Sequence, residues 1–257
     1  MDPATIAGIA IAFVAIIGSM ILEGGNPAAL IAPAALLLIF VGTLAATVAA
    51  STIPQTLGSF KWLIYAMTAK KPDFETVIEP LVKMAERARR EGLLALESEM
   101  EKVEDPFMRK GLQMAVDGTD PDDLYDILSA EVKAKKNAAK QAGAFWSDAG
   151  GFAPTIGIIG TVMGLIHVLE NLSQPEKLGH LIAAAFLATL WGILSANVMF
   201  LPMAKRVQKV GAADAARMEL IIDGVLAIQA GSNPRVVATK LRAKMPQTLP
   251  TGIPEAA

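Results

Sequence analysis

Residues 149–169 read AGGFAPTIGIIGTVMGLIHVL and contain no Asp, Glu, Lys or Arg. A helix rises about 1.5 Å per residue, so about 20 residues span the hydrocarbon core of a bilayer. Backbone groups in lipid must be satisfied within the segment, which makes this stretch an expected transmembrane helix. Three other stretches are equally free of charge, at 3–22, 24–60 and 178–204. The second is too long for one crossing. Asn26, Pro27 and Pro33 at its start and Pro54 near its end narrow it to 31–50. Four membrane helices are therefore expected, at 4–22, 31–50, 152–171 and 179–203. The fold class expected is an all-α membrane protein. A composition of 53% hydrophobic and 19% charged residues agrees, lying outside the soluble globular average. The first helix is not read as a signal peptide, because it lacks a basic leading region and an early small-residue cleavage site.

Orientation follows from cations, which short cytoplasmic segments retain. Of 23 Lys and Arg, 14 lie between Lys61 and Lys140 and 8 between Lys205 and Lys244, leaving only Lys177. Both rich segments, and with them both termini, are expected in the cytoplasm, with the short turns at 23–26 and 171–177 on the other side. In this division 1–54 and 149–204 are transmembrane hairpins and 55–148 is a cytoplasmic helical domain between helices two and three. Residues 205–245 are a cytoplasmic C-terminal helical extension, expected to pack on that domain through the apolar pattern of Val207, Val210, Met218, Ile221, Ile222 and Val225, and 246–257 a disordered tail. The loop is helical on its own evidence. From Asp73 to Met100, Val77, Leu81, Met84 and Ala88, and then Leu93, Leu96 and Met100, recur at three- and four-residue spacing within each set, as on an amphipathic helix. Asp120, Asp122 and Asp123 supply an N-cap and first-turn acids before Leu124, Ile127, Leu128 and Val132.

A net charge of −2 argues against nucleic acid, and the absence of Cys excludes disulfides and thiolate metal sites. No HExxH, Walker loop, GxSxG or clustered carboxylates lie in or beside the spans, so neither an enzyme nor a metal or cofactor site is expected. His167 and His180 have no ligand cluster around them and are read as helix-end residues.

An ion carrier working alone places an ionisable residue inside the membrane. The interior of the expected spans has none, with His167 and His180 near the outer end, so a titrating carboxylate for any moving ion must come from a partner helix. Helix three carries Gly157, Gly160, Thr161 and Gly164, a small-residue pattern that lets helices approach closely. Helix four carries Thr189, Gly192 and Ala196 on one stripe. These residues either pack helices or line a seam in which Thr161 and Thr189 hydroxyls meet a cation, since hard cations prefer oxygen. Pro154 and Pro202, near the cytoplasmic ends of helices three and four, are helix punctuation or hinges.

Three runs carry a resemblance: GGFAPTIGIIGTVMGL at 150–165, AAAFLATLWGILSAN at 183–197 leading to Pro202, and RREGLLALE at 89–97. Together they resemble the MotA/PomA family of flagellar stator A subunits. The resemblance covers nearly the whole chain and implies a pentameric ring around a dimer of MotB/PomB-like subunits. Those subunits supply the missing aspartate and anchor to peptidoglycan. It also implies an inner-membrane location and ion-driven torque on a FliG-like switch-complex protein. By the motifs, Arg89 and Glu97 match the rotor-contacting pair, with Arg90 a second basic candidate. Pro154 and Pro202 match the functional prolines, and Thr189 the pathway threonine. Thr161 favours Na+ over H+ as the driving ion, since sodium-driven members resemble this chain there. ExbB/TolQ-type rings are the rival, but they have three spans, and the leading hairpin with RREGLLALE speaks against them. A defence-system motor would carry a long extra tail, and a purely structural scaffold would need no partner.

Overall fold

The computed structural model describes residues 4–69 and 73–245, and the tail expected to be disordered, 246–257, lies outside them. All regular elements among the described residues are helical. Helix α1, Ala4–Leu22, matches the expected first span and has no buried residue. Ile11, Val14 and Leu22 are 67%, 70% and 90% exposed. A helix apolar on every side, with most of its surface left open by the described residues, needs a non-aqueous surrounding, so this is a membrane protein. Asn26 then caps a short 3-10 turn, Pro27–Leu30, by accepting from the Ala28 N–H. Helix α2, Pro33–Ala49, starts at its proline, whose missing N–H is an orphan in a first turn anyway. Within it Leu38–Gly42 widens into a π turn. Helix α3, Ile53–Thr68, is capped by Thr52 and carries Pro54 in its first turn.

Helix α4 is Glu75–Glu91. The single amphipathic run expected from Asp73 to Met100 is corrected here: α4 stops at Glu91 because Gly92 adopts φ +86°, a left-handed conformation that other residues rarely take. A 3-10 turn, Leu93–Leu96, and the single-turn α5, Glu97–Met100, follow at a new angle. Helix α6, Pro106–Val116, is capped by Asp105, whose Oδ1 accepts from Phe107 and Met108 N–H groups at 2.8 and 3.0 Å.

Helix α7, Pro121–Glu170, holds the third apolar stretch. Asp120 accepts from the Asp122 N–H at its start, as the acid pattern predicts. No helix begins at 152, so Pro154 is interior rather than punctuation, a correction to the expected helix start. Lacking an N–H, Pro154 leaves the Gly150 carbonyl without its usual intrahelical donor. Helix α8, Pro175–Gln229, holds the fourth stretch and is likewise unbroken at Pro202. It accommodates that proline after a π turn, Ser195–Phe200. Helix α9, Pro234–Ala243, is capped by Asn233.

The chain divides into two compact units, Met1–Lys70 with Ala138–Val210, and Lys71–Asn137 with Gly211–Ala257. The first is built around aromatic rings. Trp146 lies 5.3 Å from Phe145 and 5.0 Å from Phe60, and stacks on Phe200 at 6.3 Å, among Ala149, Ala153, Ala196 and Ala204. The buried Trp146 donates from Nε1 to the Ser59 carbonyl at 3.2 Å, and the half-buried Trp191 from Nε1 to the Leu30 carbonyl at 2.8 Å. The second unit has an aliphatic core in which Val77, Ile78, Leu81, Leu112, Leu124 and Ile221 are fully buried. Each such side chain contributes about 1.5–3 kcal/mol of transfer free energy. Ion pairs frame this core. Arg217 reaches Asp105 Oδ2 at 2.6 Å while the other oxygen of that carboxylate caps α6. Arg242 on α9 grips Glu75 of α4 through two bonds of 3.0 and 3.1 Å.

Candidate functional site

The apolar segments of α7 and α8 meet along glycine. A Cβ added to Gly157 would stand 2.9 Å from the Ala188 carbonyl, and one on Gly164 would stand 2.6 Å from Ala185 Cβ. At Gly160 it would meet Ala188 Cβ and Leu38 Cδ2, both at 2.7 Å, so α2 closes on the same place. From the other helix, a Cβ on Gly192 would lie 2.6 Å from the Ala153 carbonyl and 3.3 Å from Pro154 Cα. The small-residue spacing predicted close approach, and these residues supply it.

In this seam the structure brings Thr161 and Thr189 together. Their hydroxyls share a hydrogen bond. Thr161 Oγ1 is also 3.1 Å from the carbonyls of both Gly157 and Ala185, and Thr189 Oγ1 is 3.3 Å from the Gly157 carbonyl. The glycines cause this, because only backbones this close let a hydroxyl on one helix reach a carbonyl on the other. The lone pairs of the oxygen cluster outnumber its two hydroxyl hydrogens, which makes it a net acceptor able to face a cation. Both threonines are half-buried.

Pro154 sits at the Gly192 contact, beside the seam, whereas Pro202 follows the π turn of α8. Arg89 and Arg90 occupy the last turn of α4, and Glu97 opens α5 beyond the Gly92 turn. All three are exposed and none makes an ion pair among the described residues. The neighbouring charges are engaged instead: Arg87 pairs with Glu91 at 3.1 Å and with Glu99, which Lys102 also holds at 3.0 Å. The hydrogen bond from Lys102, with the Arg87 charge behind it, keeps the Glu99 carboxyl below its ordinary range. Leu96 is fully buried and fixes the turn that presents Glu97. His167 and His180 are exposed, and His167 Nδ1 lies 3.4 Å from Glu170.

Sequence reasoning missed three features. Thr43 and Thr47 of α2 are buried hydroxyls, and Thr47 donates to the Thr43 carbonyl at 2.8 Å while the Thr43 hydroxyl has no partner. Their four-residue spacing was the available signal. The two π turns left no sequence signal beyond Gly42 and Pro202. The Trp191 indole bond to Leu30 joins positions too far apart in sequence to be paired by reading.

The profile described as the MotA/TolQ/ExbB proton channel family matches residues 99–220, and the one described as Motility protein A N-terminal matches residues 6–92. Motility protein A of Bacillus subtilis (strain 168) is 38% identical over 253 residues, 96% of this chain and 92% of that protein. Among solved structures, C. jejuni MotAB superposes with a TM-score of 0.93 at 29% identity, covering 97% of this chain and 98% of that one. The flagellar MotAB stator complex from Bacillus subtilis gives 0.89 at 37% identity, covering 95% and 96%.

Proposed function

Since the chain belongs to the MotA/TolQ/ExbB proton channel family, and within it to the motility protein A subunits of flagellar stators, we propose that it converts ion flow through its α7–α8 seam into torque on a rotor. The observation that carries the mechanism is the Thr161–Thr189 oxygen cluster, set by glycines between stretches that hold no Asp, Glu, Lys or Arg. Such a cluster can hold a cation in transit but cannot trap and release it by titration. The carboxylate therefore belongs to a MotB/PomB-like partner, a reading supported by the MotAB complexes among its solved relatives.

The chain crosses the bacterial inner membrane four times, with 55–148, 205–245 and both termini in the cytoplasm. The cation count and the four apolar stretches support this arrangement. Five copies form a ring around a B-subunit dimer. Arg89, Arg90 and Glu97 meet a FliG-like switch protein. Their exposure and lack of internal partners support that role, because complementary charges steer contacts that are repeatedly made and broken. Pro154 and Pro202 supply the coupling, Pro154 through its contact with Gly192. One charge crossing about 100 mV releases about 2.3 kcal/mol, so a few ions suffice for a power stroke.

The driving ion is Na+, on the strength of the Thr161 hydroxyl and the two carbonyls it faces. Tethered-cell rotation in a stator-deleted host expressing this chain and its partner, with external sodium replaced by potassium at fixed pH and membrane potential, tests this. Rotation is expected to stop and to return with sodium, and Thr161→Ala to raise the sodium requirement. Undiminished rotation in potassium assigns protons as the driving ion and packing as the role of Thr161. An assembled complex that never rotates overturns the flagellar reading.

A further inference from the structure

At the start of α1, the helix faces residues 197–209 of α8 across a cavity of about 430 Å³. One wall is cationic. Lys205, Arg206 and Lys209 line it, and Val198, Pro202, Lys205 and Lys209 share a stripe at four- and three-residue spacing. Lys205 and Lys209, one helical turn apart, repel each other. Both are exposed, and neither meets a carboxylate among the described residues. Arg206 is steered by donation from Nε to the Ala66 carbonyl at 3.1 Å. The opposite wall is uncharged and mostly apolar, with Thr5, Gly8, Ile9 and Ala12 of α1, a helix of which no residue is buried among the described residues.

The geometry points to a binding site for one anionic phospholipid per subunit, its phosphate between Lys205 and Lys209 and an acyl chain lying along α1 at Gly8 and Ala12. Two observations select a lipid over a free phosphate. The cations sit where an uninterrupted apolar stretch ends, at the depth of a headgroup. The cavity also continues onto α1, an apolar helix with no buried residue, which would give a free phosphate nothing to hold. The occupant offsets the Lys205–Lys209 repulsion and fixes α1 against the helix that follows the Ser195–Phe200 π turn.

Native mass spectrometry of the full-length chain in its purified assembly tests the site, with phosphatidylglycerol or phosphatidylcholine added to delipidated protein. The wild type is expected to retain one phosphatidylglycerol more per subunit than phosphatidylcholine. Lys205→Gln with Lys209→Gln is expected to lose that lipid, with apparent affinity at least tenfold weaker and assembly mass unchanged. Lys205→Arg with Lys209→Arg is expected to keep it. Equal retention of phosphatidylglycerol by the Gln variant overturns the proposal, as does equal retention of phosphatidylcholine by the wild type. Full displacement of the lipid by millimolar inorganic phosphate also counts against it and identifies an adventitious ion only. Recovery of the Gln variant in the membrane fraction separates failure here from failure of the membrane reading.

Discussion

At the scale of single residues, the seam makes a sharp distinction between neighbouring glycines. Gly157→Ala places a Cβ 2.9 Å from the Ala188 carbonyl and 3.2 Å from Thr189 Cα, both backbone atoms that no rotamer can move away. It is expected to destabilise the protein by about 1–3 kcal/mol and to abolish rotation. Gly151→Ala meets nothing within 4 Å and sits mid-helix, where glycine is the poorer former by about 1 kcal/mol. It is expected to melt at the same temperature or slightly higher and to leave rotation intact. Thermal melts of the two purified variants, beside a bead assay, check the pair. The sequence made the glycine stripe legible, together with Thr161 and Thr189, because small residues at four-residue spacing have few other uses in an apolar helix. It could not show that the two hydroxyls meet, since periodicity places a residue on a face without naming the helix opposite.

Among the helices, Pro154 is the residue whose reading changes most. A proline seen from sequence near a span boundary is taken for a helix start, but α7 runs from Pro121 to Glu170 and carries it as an interior defect. Pro154→Ala restores an N–H to the Gly150 carbonyl, so helix stability is expected to hold or rise. Rotation is nonetheless expected to be lost, because the Gly192 contact then rests on a regular helix. Loss of the variant from the membrane would point to packing instead. Where α4 ends was harder to read, since helical spacing resumes at Leu93 and Leu96 beyond the left-handed Gly92, and only the five-residue step from Ala88 to Leu93 marks the break. The α4–α9 contact has a pH signature. Hydrogen bonds from Arg242 hold the Glu75 carboxyl below its ordinary range, opposed by partial desolvation. A depressed carboxyl contributes stability that is complete above its unfolded value, about 4.3, and disappears as pH falls through the lower folded value. Glu75→Gln is therefore expected to melt below the wild type at neutral pH, with the two melting curves converging in acid.

For the molecule as a whole, four charge-free stretches and a skewed cation count were enough to indicate an all-helical membrane protein. The apolar spacing of Met218, Ile221, Ile222 and Val225 went further and indicated that the C-terminal extension packs on the loop domain, and residues 73–137 and 211–245 do build one aliphatic core. Truncating that core at Leu81, which is fully buried and packed where Gly224 has no side chain, is expected to cost about 2–5 kcal/mol. Circular dichroism of Leu81→Ala should record an early loss of helix. The aromatic cluster described above decides what other optical methods can see. All three tryptophans, Trp62, Trp146 and Trp191, belong to the unit that contains the glycine seam, and Tyr125 is the sole phenol in the other. Intrinsic fluorescence excited at the indole band therefore reports on half of the molecule and is blind to the half that holds Arg89, Arg90 and Glu97. An indole introduced at Phe107, a buried ring of the silent core, would give that half its own emission.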